Sequence, residues 1–155
     1  MISEAQFELL DSLESKYAVE KGTEVEVLKG LNFILFDNRK LLEAAVEILG
    51  EDGQSGGVKE FISNSCGRKC WKVRGSHDKE YTCLRSFCSC PSFLMQAKQA
   101  AGDVMCKHLL AMRVAAMIGM IESEEVSDER FVDLMCQETS TSGVVSSKPF
   151  RTWRK

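Results

Sequence analysis

The sequence predicts an α+β fold, and three observations predict it. Apolar residues recur at helical intervals through the first third of the chain, alternate with polar residues over 58–87, and return to helical spacing behind Pro91. The chain has 155 residues, of which 44% are hydrophobic, enough for one core at this size, although a small domain gains from a metal staple. Charged residues make up 28% and the net charge is −3, a balance that excludes bulk disorder.

The first helix is expected to start at Ser3, which has capping-box spacing to Gln6. Its stripe is Phe7, Leu10, Leu13 and Tyr17. After Gly22, Thr23 and Glu26 repeat the box ahead of Val27, Leu28, Leu31, Ile34 and Leu35. Asp37 is the expected cap of a third helix, whose stripe of Leu42, Ala45, Val46 and Leu49 stops at Gly50. A glycine-rich break then separates this helical region, residues 1–56, from a segment of different period.

Residues 58–63, 70–74 and 80–87 have strand character, with turn residues at 66–68 and 75–78, so a three-stranded antiparallel meander is expected. Trp71, Val73, Tyr81 and Cys83 alternate with polar neighbours, which suits cross-strand packing better than base stacking. Pro91 fits the first turn of a helix running to Ala101, and Asp103 is the expected cap of a longer one beginning near Cys106. Residues 109–121 leave few polar positions. A helix apolar nearly all round is either central to the core or covered by a partner. On the second account Met112, Met117 and Met120 are candidate partner contacts, since flexible thioethers fill irregular grooves. Ser127 opens a short helix within 122–136, and residues 137–155, rich in Ser and Thr, are expected to be a flexible tail.

The chemistry lies in Cys88-Ser89-Cys90-Pro91 and, with fifteen residues between Cys90 and Cys106, in Cys106-Lys107-His108. Alternate side chains at a bent strand end converge on one ion, and a Cys just before a helix meets a His in its first turn. Three thiolates and an imidazole complete a tetrahedral zinc shell with no open position, so the expected site is structural and not catalytic. The bland alternative treats these cysteines as small buried hydrophobes. Cys66, Cys70, His77 and Cys83 offer a weaker second arrangement that crosses two strands and a turn. Seven cysteines without an evident secretory leader point to reduced thiols and an intracellular protein, and no apolar run reaches membrane-span length. There is no phosphate-binding glycine loop and no serine–histidine pairing, which disfavours an enzyme.

Cys-x-Cys followed at a distance by Cys-x-His, with a proline behind the first pair, resembles the SWIM zinc finger, here over residues 57–121. The wider layout, with Tyr81-Thr82-Cys83-Leu84, Cys88-Ser89-Cys90-Pro91-Ser92-Phe93 and Cys106-Lys107-His108-Leu109-Leu110-Ala111, is similar to the SWIM-type zinc-finger subunits of the Shu complex. That resemblance implies a non-catalytic nuclear factor that pairs with a RecA-like recombinase paralog. The pair would support recombinase filaments on single-stranded DNA in homologous recombination and meiosis. An adaptor in a ubiquitin-type or signalling assembly, without a nucleic-acid role, is the alternative.

Charge distribution is compatible with the first reading. Residues 57–113 carry ten Lys/Arg against four Asp/Glu, whereas residues 1–56 carry five against twelve. A basic region on an acidic protein is a candidate phosphate footprint, although lysines that balance zinc thiolates would look the same. Arg68, Lys69, Lys72 and Arg74 cluster at one hairpin and are the expected DNA contacts.

Overall fold

The computed structural model describes residues 1–50 and 57–137, so the expected tail lies outside the described residues apart from Gln137. Three helices come first: α1 (Glu4–Lys16), α2 (Glu24–Ile34) and α3 (Arg39–Leu49). Both expected capping boxes form. The Ser3 hydroxyl accepts from the Gln6 amide at 3.3 Å, and Glu26 returns a carboxylate to the Thr23 amide at 3.0 Å. Asp37 does not cap α3. Asn38 stands at that position without a side-chain cap bond, while Asp37 Oδ1 accepts from Gln6 Nε2 at 2.7 Å. Gln6 Nε2 also donates to the Ile34 carbonyl, so Asp37 and the end of α2 are tied to α1.

A five-stranded sheet follows, in the order β4-β3-β2-β1-β5. The expected meander is its antiparallel part: β1 (Val58–Ser63), β2 (Lys69–Arg74) and β3 (Glu80–Leu84), with a two-residue extension, β4 (Phe87–Cys88). Strand β5 (Glu122–Val126), which the sequence reading does not predict, pairs parallel with β1. Its Glu-Ser-Glu-Glu-Val composition carries almost no strand signal. It serves as an edge strand, and Ser123 Oγ donates to Glu60 Oε2 at 2.6 Å across the pair.

Helix α4 (Pro91–Gln99) starts at the expected proline, and α5 (Lys107–Ile118) follows. Gly119 ends α5 in the left-handed region at φ 73°, three residues short of the expected Ile121. Helix α5 lies between the N-terminal helices and one face of the sheet, touching α1, α2, α3 and β1 to β4. Leu109, Leu110, Ala111, Met112, Val114, Ala115 and Met117 are all buried there. This settles the two accounts of the helix: it is the central core helix. Met112 and Met117 are 5% and 1% exposed, so the expectation that they form an open partner surface is corrected, and Met120 is half-buried against the same core. Buried Arg113 donates to Asp11 Oδ1 at 2.8 Å and so links α5 to α1. Helix α6 (Asp128–Cys136) covers part of the other sheet face, over a smaller cluster of Phe61, Cys70, Val126 and Leu134. Among the described residues no helix is long and apolar enough to cross a membrane.

Candidate metal centre

The ligand set is assembled where the sheet hands over to the helices. Cys83 and Cys88 are register partners in the β3–β4 ladder, which fixes Cys88 at the sheet edge. Two residues on, Cys90 is the N-cap of α4 and its sulfur accepts from the Phe93 amide at 3.3 Å. Cys106 is likewise the N-cap of α5, in place of the expected Asp103, and accepts from the Leu109 amide at 3.5 Å. Two helix starts thus each aim a cysteine sulfur and free amide donors at one point, an arrangement that favours thiolate charge. His108, one residue inside α5, completes the group.

The donor atoms of Cys88, Cys90, Cys106 and His108 all lie within 4.8 Å of one another, and all four residues are buried. Zinc–ligand bonds of about 2.0–2.3 Å in a tetrahedron require donor separations of this order. Both ring nitrogens of buried His108 lack a hydrogen-bond partner, which is costly for an imidazole unless an ion takes one of them. Proton sharing within the cluster points the same way. Hydrogen bonds from Cys106, then Cys88, hold the Cys90 thiol below its usual range, whereas donating to Cys88 and Cys90 pushes Cys106 up. The cluster stabilises one thiolate at the expense of its neighbours, and a divalent cation would replace those shared protons. The four residues fit a structural zinc ion. A Cys3His set fills the shell.

Among the described residues this is the only such group. Cys66, Cys70, His77 and Cys83 are not gathered. Cys70 belongs to the cluster under α6 and Cys83 to the main core on the opposite face, while Cys66 is exposed. The basic hairpin is divided in a similar way. Arg68 and Arg74 are exposed, but Lys69 pairs with Glu60 at 3.0 Å. Lys72 is 6% exposed and donates to Thr82 Oγ1 at 2.7 Å, so the expectation of an exposed Lys72 is corrected. Alternation explains the difference: Lys72 faces the side that carries Thr82 and Cys70, and its stem is buried there.

The aromatic residues also find places. Tyr81 packs its ring on His108 with centroids 4.6 Å apart. A Cβ at Gly75 would come within 2.4 Å of Tyr81 Cε2, so glycine at that turn permits the ring edge to approach the backbone closely. Trp71 packs against the main core, with a buried indole N–H that has no partner among the described residues. Sequence reasoning missed the wall opposite the cluster. Phe36, Arg39 and Lys40, from the α2–α3 turn, border the same groove as Cys90, Cys106 and His108. The available signal was an exposed aromatic followed by two cations at a helix start.

A strand end carrying Cys-x-Cys, joined through a short helix to Cys-x-His at the start of a core helix, is the ligand order of a SWIM-type zinc finger. The chain is 38% identical over 81 residues to mouse zinc finger SWIM domain-containing protein 7, covering 51% of this chain and 53% of the relative. The human protein of that name is 37% identical over 80 residues, covering 50% and 57%. The homolog from Dictyostelium discoideum is 26% identical over 127 residues, covering 79% and 77%. The matches to the mouse and human proteins thus span little more than half the length of those relatives. No protein-family model and no solved structure matches the chain. The chain is thus similar to proteins named zinc finger SWIM domain-containing protein 7 from four organisms.

Proposed function

We propose that the chain is a non-catalytic, zinc-binding accessory factor of homologous recombination and DNA repair. It acts in the nucleus, paired with a RecA-like recombinase paralog, and promotes recombinase filament assembly on single-stranded DNA. The observation that carries the non-catalytic part is the buried Cys88, Cys90, Cys106 and His108 set, whose four donors leave no coordination position for a substrate. The recombination role rests on the resemblance to SWIM-type subunits of the Shu complex. The exposed basic residues around the module are compatible with it.

Within this reading the zinc supplies cross-linking, not chemistry. It joins the β4 end to the starts of α4 and α5 and holds those elements over the core. The test is copurification with a recombinase paralog, followed by binding of each preparation to single-stranded oligonucleotides across a salt series. The expected result is a stable pair that binds more tightly than the lone chain and accelerates filament assembly. Stable association with other proteins but no nucleic-acid binding in either preparation would favour the adaptor alternative instead.

A further inference from the structure

Helices α2 and α3 both pack on α5 and leave a groove of ≈ 660 Å³ between them, away from the metal ligands. Its floor is Leu28, Leu42 and Val46, and its rim carries Glu24, Glu43 and Glu47. Among the described residues no lysine or arginine lines it. The three glutamates are exposed, and none forms an ion pair among the described residues. Glu43 and Glu47 stand four apart on α3, a like-charge spacing that costs helix stability. Glu47 also lies in the last turn, at the negative end of the helix dipole, where a cation is favoured instead. An apolar floor beneath uncompensated carboxylates calls for an occupant that brings apolar rings and cations together.

The chain carries one such segment outside the described residues. Residues 51–56, which leave the groove at Gly50, hold Glu51 and Asp52, no cation and no large apolar side chain. Residues 138–147 also lack a cation and an aromatic. Residues 148–155 hold Lys148, Arg151, Arg154 and Lys155 with Phe150 and Trp153, and no acid. In a helical turn Phe150 and Trp153 would share one side, with Arg151 and Arg154 beside them, and Pro149 suits the first position of such a turn. The ten residues 138–147 extend to about 33–36 Å, enough to carry the segment round a domain whose radius of gyration is about 14 Å.

We propose that residues 148–155 dock in the α2–α3 groove of their own chain. Phe150 and Trp153 cover Leu28 and Val46, and Arg151 and Arg154 pair with Glu43 and Glu47. This is the mode in which an amphipathic turn lays its apolar side into a groove between helices, with charge-assisted hydrogen bonds at the rim fixing its direction. Docking removes the apolar floor from water, neutralises the rim and holds a cationic segment away from other anions.

The test uses the zinc-loaded full chain, methyl-labelled for NMR. Cross-relaxation is expected from the Trp153 ring to the Leu28 and Val46 methyls, unchanged on dilution and absent between labelled and unlabelled copies in a mixed sample. Arg151→Glu/Arg154→Glu, which alters no described residue, should abolish these signals with zinc content unchanged. The backbone amides of 150–154 should then exchange about tenfold faster than in wild type. Glu43→Lys/Glu47→Lys should have the same effect, and the four substitutions together should restore the signals, which a general loss of structure would not do. Absence of the signals in wild type, or their persistence in both charge reversals, would overturn the proposal. Signals found only between different copies would overturn docking within one chain in favour of a contact between two.

Discussion

Single residues around the zinc module divide by what their charge faces. Lys72 is held with its ammonium on Thr82 Oγ1, and burial lowers its pKa below the ordinary lysine value of 10.5. A lysine with a depressed folded-state pKa binds its proton less tightly when folded than when unfolded. Between the two values the unfolded chain carries more protons, so this residue makes stability rise with pH there. Below that window its full penalty is present; above 10.5 it vanishes. Lys72→Met, which keeps the buried stem and removes the charge, should therefore leave urea-unfolding stability at neutral pH within about 1 kcal/mol of wild type, or raise it. The two proteins should converge as pH rises toward 10.5. Single-strand binding should be unchanged, because Lys72 is not available to a phosphate. A large drop in affinity in Lys72→Met would contradict this placement of the lysine.

At the scale of elements, α5 joins fold and site: its start supplies two of the four ligands, Cys106 and His108, and its remaining length is core. Met117 is 1% exposed, and Met117→Ala should cost roughly 2–5 kcal/mol in urea unfolding, with Met120→Ala costing clearly less from its half-buried position. Equal and small effects at both positions would mean that the helix does not sit at the centre. The helices were legible because their signals are local: Ser3 with Gln6, Thr23 with Glu26, Pro91, and Ser127 all mark observed starts. The ligand set was legible for the same reason, since Cys-x-Cys and Cys-x-His are each contained in three residues. What was not legible depends on distant partners. Asp37 has the composition of a cap but is used by Gln6, thirty-one residues away. Strand β5 is made by register with β1, not by its own acidic sequence. The apolar stretch 109–121 does not reveal whether protein or partner covers it until α1, α2 and α3 are in place. The groove wall from Phe36 to Lys40 is far in sequence from the ligands it faces, so no spacing rule connects them.

The whole molecule is a helical cap and a five-stranded sheet closed over one helix, with the metal centre at the seam where the strands end and the helices begin. The acidic N-terminal third packs onto the basic module through α5, including the Asp11–Arg113 bond. In small fingers structural zinc supplies about 10–16 kcal/mol of apparent binding free energy, so removing one ligand here should undo the seam and not merely one bond. The central claim is that four protein donors close this site. Zinc-edge X-ray absorption of the purified chain tests it most directly. The account predicts one zinc per chain with three sulfurs near 2.3 Å and one nitrogen at about 2.0–2.1 Å, with the sulfur shell reduced in Cys106→Ala. An oxygen ligand in the wild-type shell, or full zinc occupancy with an unchanged sulfur count in Cys106→Ala, would contradict it.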